Sequence, residues 1–195
     1  MKLRLLVCFV VVLPLFALTA TPSSAGSDGF TFSVNAVTPP PGLDTDLNLF
    51  HGETVSIIAA GRAHYGFEGA APCVGTPVTD PNGVRYLNGT TCPPKIDPLA
   101  FLPTAPIGKL LAQVGNGPWF SVGTHLEFQP STGGHLRLLY NDATWSDNSG
   151  SYHVDIGIRP TRKDECKDND FHRFPQHFKN QGQCVSFVNH EMHKN

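Results

Sequence analysis

"YNDATWSDNSGSYHVDIGI", residues 140–158, joins two different kinds of sequence. Its second half alternates: Tyr152, Val154, Ile156 and Ile158 fall on one side and His153, Asp155 and Gly157 on the other, the period of a strand with one buried face. Its first half gathers Asn141, Asp142, Thr144, Ser146, Asp147, Asn148 and Ser149, seven polar side chains in nine positions. A tight turn needs about one or two such residues. The loop is therefore either a long solvated hairpin, its side chains bonding their own backbone, or a cation cage.

Outward from this stretch, the same two-residue period recurs. "FTFSVNAV" (30–37) sets Phe30, Phe32 and Val34 against Thr31, Ser33 and Asn35. "TVSIIAAGRAHYG" (54–66) puts Val55, Ile57 and Ala59 on one face, with Gly61 as the expected site of a bulge. "IGKLLAQVG" (107–115), "WFSVGTHLEFQ" (119–129) and "HLRLLYN" (135–141) read as further strands. "PPPGLDTDLNLFHGE" reads as a turn-rich connection, and residues 67–105, with "DPNG" and "CPPKIDP", as a long loop. Nineteen Gly and seventeen Pro, with few runs of helix formers, complete an all-β expectation: a β-sandwich or jelly roll, whose loops gather at the sheet ends.

The first 25 residues carry Lys2 and Arg4, then "LLVCFVVVLPLFAL", then small residues at Ser23 and Ala25, the pattern of a cleaved secretory signal. The apolar run is shorter than the roughly 20 residues of a membrane span and contains Pro14. The expected mature chain is secreted, with no membrane span. Removing two of 14 basic residues and none of 16 acidic ones leaves 12 − 16, a net charge of −4, with no basic stripe for nucleic acid.

Four cysteines remain after Cys8, an even number in an exported chain. Of three pairings, the nearest-neighbour one is favoured: Cys73 with Cys92, stapling the long loop, and Cys166 with Cys184. The single cysteines lack the close spacing of a zinc site. Three segments follow: 1–25 as signal peptide, 26–159 as β-sandwich, and 160–195 as a disulfide-stapled C-terminal appendage with Phe171, Phe174, Phe178 and Phe187 around its bridge. His172, His177, His190 and His193 in that appendage read as incidental surface histidines rather than a metal site, and Asn88-Gly89-Thr90 matches a glycosylation acceptor.

The segments "GETVSIIAAGRAHYG", "PIGKLLAQVGNGPWFSVG" and "GGHLRLLYNDATWSDNSGSYHVDIGI" together resemble the galactose-binding β-sandwich of the PA-IL-type (LecA-like) bacterial lectins over roughly residues 30–158. That resemblance implies a calcium-dependent carbohydrate-binding protein, Ca²⁺ directly ligating two sugar hydroxyls, and an oligomer that gains avidity from several sites. It implies as metal ligands the Tyr65 carbonyl, the Asp142 side chain, the carbonyl of Thr144 or its neighbour, and the Asp147 and Asn148 side chains. Tyr65, Asp142 and Asp147 would also face the sugar. Oxygen ligands of mixed charge suit a hard cation that accepts about six to eight of them. The loop between Asp142 and Asp147 is about two residues shorter than in those lectins, Asp147 stands where they have Asn, and their sugar-contacting His and Gln have no counterpart after Tyr65. The tail, from "KDECK" to "FKNQGQCVSFV", resembles a short segment found at the ends of many unrelated bacterial secreted proteins.

The sequence contains no GxSxG, no HExxH and no phosphate-binding glycine loop, and two carboxylates so close in a polar loop beside Asn148 suit a cation better than an acid/base pair. Two other classes stand beside the lectin reading: an envelope or matrix module in which calcium only stiffens a loop, and a polysaccharide hydrolase using Asp142 and Asp147 as an acid/base pair.

Overall fold

The computed structural model describes residues 29–69, 71, 73–174 and 178–192. The expected signal segment, 1–25, lies outside them, as do His177 and His193. Eleven strands occur among the described residues: β1 Phe30–Asn35, β2 Leu43–Leu49, β3 Thr54–His64, β4 Val78–Thr79, β5 Arg85–Leu87, β6 Thr90–Cys92, β7 Leu110–Val114, β8 Phe120–Ser121, β9 His125–Phe128, β10 Gly134–Tyr140 and β11 Ser149–Arg159. A helix, α1 (Gln181–Met192), follows them.

The alternating half of the opening stretch is β11, and it sits inside the larger antiparallel sheet, between β1 and β3. On its other side β3 pairs with β9 over Val55–Ile58 and with β4 over Ala63–His64, from which β5 and β6 continue outward. The second antiparallel sheet has the order β2-β10-β7-β8. The sandwich follows from the period: Val154, Ile156 and Ile158 of β11 and Val55 and Ile57 of β3 meet Leu136, Leu138 and Leu110 of the other sheet in one buried cluster. Each such side chain contributes about 1.5–3 kcal/mol by leaving water.

Polar groups also join the two layers. Tyr140 and Tyr152 come from opposite sheets, and both hydroxyls lie within hydrogen-bond distance of Thr79 Oγ1, at 2.9 and 2.8 Å. The Tyr152 hydroxyl also lies 2.7 Å from the Gly108 carbonyl. Burial raises both phenols above their ordinary range, so they stay protonated and hydrogen-bonding at any physiological pH.

Several segments differ from the sequence expectation. "LDTDLNL", read as a connection, is strand β2; it pairs Leu43 with Leu138 and Leu49 with Gly134, and its exposed positions carry the polar residues that masked it. The stretch 119–129 is two strands rather than one. Val122 and Gly123 both donate their N–H groups to the Leu110 carbonyl, Gly123 has φ +77°, and the chain passes there from the second sheet (β8) to the first (β9). Gly61 marks no bulge: β3 and β11 keep one register from Thr54 to His64. What Gly61 permits is close approach, since a Cβ there would lie 2.8 Å from the Ser151 carbonyl oxygen. The loop 67–105 contains β4 to β6, with Asn88-Gly89 (φ +49° and +79°) as a two-residue hairpin turn.

Both disulfides pair as expected, Cys73 with Cys92 and Cys166 with Cys184. The C-terminal segment is built around the second. Phe171, Phe174, Cys166, Cys184 and Val188 are buried within the same cluster as the sandwich core, with Phe178 and Phe187 packed beside them. The unexpected element is α1; Gln183 N–H donates to the Asn180 side chain at its start. Arg173 forms an ion pair with Glu53, which is fully buried, and donates to the Asn48 carbonyl at 3.0 Å, fastening the segment to the β2–β3 turn. No helix among the described residues is long and apolar enough to cross a membrane.

Candidate functional site

The polar half of the opening stretch lies where β11 begins and β3 ends. The last pair of that ladder is Ser149 with His64, so the next residues outward are Asn148 beside Tyr65 and Asp147 beside Gly66. Gly66 has φ +89°, and a Cβ built on it would lie 2.4 Å from Asp147 Oδ2. The Asp147 carboxylate therefore rests directly against the backbone after Tyr65, at a residue whose positive φ favours glycine.

Asn148 is buried and donates through Nδ2 to the Ala36 carbonyl at 3.1 Å, which fixes the amide and leaves Oδ1 buried with no hydrogen-bond partner among the described residues. Asp142 is also buried. Its Oδ1 accepts the Thr144 N–H at 3.3 Å, and its Oδ2 is buried with no partner. Burial pushes the Asp142 carboxyl above the usual carboxylate range, and neighbouring Asp147 adds to the rise; the Asn148 amide and the Thr144 and Ala143 N–H groups only partly oppose it. Asp142 Oδ2 and Asn148 Oδ1 are thus two buried oxygens open to a further partner, each costing about 1–3 kcal/mol when unsatisfied; His64 Nδ1, at the end of the same ladder, is a third such buried atom. The expected donors of the site are all oxygen and include two carboxylates, which suits Ca²⁺ rather than a thiolate- or imidazole-seeking metal.

Of the seven polar side chains, Asn141 is consumed structurally. It is fully buried, accepts the Leu102 N–H at 3.0 Å and donates to the carbonyls of Leu102, Ala105 and Pro106 at 3.0–3.2 Å. Trp145–Asp147 form one turn of 3-10 helix, with Thr144, Trp145 and Ser146 exposed.

Tyr65 is held from behind. Its hydroxyl donates to Glu68, whose carboxylate is ion-paired with Arg85, and Arg85 Nη1 donates to the Pro93 carbonyl at 2.7 Å. The Lys95 ammonium stands 5.2 Å from the centroid of the Tyr65 ring. Burial raises this phenol too, followed by its bond to Glu68. Asp80, Arg85 and Tyr86 support this region through side-chain contacts. Asp80 accepts the Asn82 and Val84 N–H groups and the Tyr86 hydroxyl, Arg85 is buried, and Arg62 stacks on Tyr86.

One cluster escaped the sequence reading. Asp44, Asp46 and His135 place one ligand atom each within 4.8 Å of one another, the one such group of His, Cys, Asp or Glu among the described residues. It lies across the β2–β10 pair, which sequence could not bring together while β2 read as a connection. Burial would raise the Asp44 carboxyl, but the Asp46 N–H, His135 and Arg137 together hold it below the usual range. Asp44 is also ion-paired with Arg137. In the tail, His172 stacks on Phe171 at 4.0 Å.

The fold is thus a two-sheet antiparallel sandwich with the candidate site at its loop end, and the class of protein follows from the family that the sequence matches. Residues 32–161 match the family described as PA-IL-like protein, more than half of the chain, and the chain belongs to that family. Among solved structures, one described as "EclA N-terminal domain; PllA-like lectin" is similar at a TM-score of 0.49 and 24% identity, covering 68% of this chain and 98% of that one. No curated protein matches the sequence.

Proposed function

We propose that this protein is a secreted, calcium-dependent lectin. The Tyr65 and Thr144 carbonyls and the side chains of Asp142, Asp147 and Asn148 would hold Ca²⁺. The observation that carries the reading is the pair of buried oxygens without partners, Asp142 Oδ2 and Asn148 Oδ1, beside an Asp147 seated on Gly66. When bound, the ion supplies open coordination positions that vicinal sugar hydroxyls can fill in place of water. The two carboxylates would balance the ion's charge and accept hydrogen bonds from those hydroxyls, and Tyr65, its side chain buried and bonded to Glu68, would face the sugar through its backbone carbonyl. Asn148 contributes an oxygen without further repulsion. No bond is made or broken, which agrees with the lectin family.

The signal-like first 25 residues and the two disulfides support an extracytoplasmic setting, with cell-surface or extracellular glycans as partners. The test is calcium titration by calorimetry, followed by a glycan array with calcium and with chelator. Calcium binding together with chelator-sensitive glycan signals is expected. Glycan signals that persist in chelator would overturn the mechanism, and calcium binding without any glycan signal would leave a loop-stiffening ion in a structural module.

A further inference from the structure

We propose that the excursion stapled by Cys73–Cys92 is a positioning device for the cation cage, acting through Arg85 and Glu68 on Tyr65. This rests on the reading of the Tyr65 carbonyl as a calcium ligand. Tyr65 is the first residue beyond β3: His64 makes the last ladder pairs, with Ser149 on one side and Val78 on the other. Gly66, which follows, has no side chain to anchor it and has φ +89°. Rotation about Tyr65 would move its own carbonyl and also the Gly66 surface on which Asp147 rests, so both ends of the cage depend on one unladdered residue.

The restraint comes through the side chain. The Tyr65 hydroxyl donates to Glu68, and Glu68 is clamped by Arg85 of β5. Each member of this pair is tied to the staple. The Glu68 backbone exchanges two hydrogen bonds with Gly75, at 2.6 and 2.8 Å, two residues past Cys73. Arg85 is register-paired with Cys92 and donates to the Pro93 carbonyl. Tyr65, Glu68, Gly75, Cys73, Cys92 and Arg85 thus form a closed mechanical loop, fixed covalently at the disulfide. Groups that orient a metal ligand typically change metal affinity by about 10–100-fold when removed.

The experiment measures calcium affinity by calorimetry, well below the melting temperature, for the wild type and for Tyr65→Phe, Glu68→Gln, Glu68→Ala and Cys73→Ser/Cys92→Ser. Tyr65→Phe keeps the ring and the carbonyl and loses only the hydroxyl, so it tests the link with the least risk to folding. About a tenfold loss of affinity is expected for Tyr65→Phe and for the cysteine pair, a similar or larger loss for Glu68→Ala, and partial recovery in Glu68→Gln. In calcium-free protein the Gly66, Phe67 and Glu68 amides of the weakened variants should exchange faster than wild type. Arg173→Met, which destabilises the distant tail contact, is the control and should leave affinity unchanged.

A wild type that binds no calcium overturns the cage and this inference together. A wild type that binds, with Tyr65→Phe and the cysteine pair binding equally well, overturns the inference alone. Equal weakening by Arg173→Met would also overturn it, by assigning the effect to global stability.

Discussion

Asp142→Asn is expected to shift stability in opposite directions with and without calcium. In calcium-free protein the wild-type carboxylate is buried, its Oδ2 has no partner, and burial raises its folded-state pKa above the unfolded value. The folded state then holds the proton more tightly, so this group favours folding most below the unfolded pKa, and that favour is lost as pH rises through the folded pKa. Asparagine keeps the acceptor for the Thr144 N–H and carries no charge. What the substitution removes is an unpaired buried charge, worth about 1–3 kcal/mol. A domain of this size melts about 2–4 °C higher per kcal/mol, so the calcium-free variant should melt roughly 2–12 °C above wild type at neutral pH. That gap should close on acidification.

With calcium at about 100 times its dissociation constant, wild type gains about 2.7 kcal/mol, or roughly 5–11 °C, and the variant almost none. Scanning calorimetry from pH 4 to 8, in chelator and in calcium, reads both effects. A variant that melts below wild type in chelator, or that keeps the full calcium shift, refutes the assignment of Asp142 as a ligand.

Cys166→Ser/Cys184→Ser opens a staple whose cysteines are 18 residues apart. Loop-closure entropy puts the loss near 3 kcal/mol, a fall of roughly 6–12 °C in the melting temperature under non-reducing conditions. Arg173→Met leaves Glu53 charged and fully buried, which should cost about 3–5 kcal/mol in urea denaturation at pH 7. Burial already raises the Glu53 carboxyl, and losing the guanidinium raises it further, so the deficit should shrink as pH falls; adding Glu53→Leu should recover most of it. Asn141→Ala strands the Leu102 N–H and the Ala105 carbonyl and takes a second donor from the Leu102 and Pro106 carbonyls, so a loss of about 3 kcal/mol is expected, with faster amide exchange across residues 102–108.

The alternating strands were legible because their inner faces are apolar without interruption: 151–158, 54–64 and 135–140 all lie within the strands expected for them. β2 was not, since "LDTDLNL" breaks its inward run of Leu43, Leu47 and Leu49 with Thr45 and alternates it with Asp44, Asp46 and Asn48, the composition of a turn-rich connection. Thr45 is buried only because its hydroxyl donates to the Leu136 carbonyl at 2.7 Å, a partner 91 residues away. The two strands within 119–129 were fused for a related reason: local alternation does not record which sheet each half joins. At the site, the crowding of oxygens was visible in sequence, but the division of labour was not. Asn141 and Asn148 are the same residue type seven positions apart, yet one is saturated by the Leu102–Pro106 backbone and the other keeps a bare oxygen. Arg85 and Glu68 stand 17 residues apart in what reads as a loop, and only the pairing of β4, β5 and β6 brings them together behind Tyr65.

The shared core of sandwich and tail sets an order of events during synthesis. β1 has β11 as its partner, and Thr31 meets Asp155 across 124 residues. Phe171, Phe174 and Val188, which close the cluster, are made after every strand. A growing chain therefore holds no finished sheet for most of its length. The Cys73–Cys92 pair, 19 residues apart and complete before β7 is made, is among the earliest native contacts it can make, whereas Cys166–Cys184 closes only after the last strand. A chain that stops short of Val188 is then an open sandwich with an uncovered apolar end, prone to self-association, rather than a smaller binding domain.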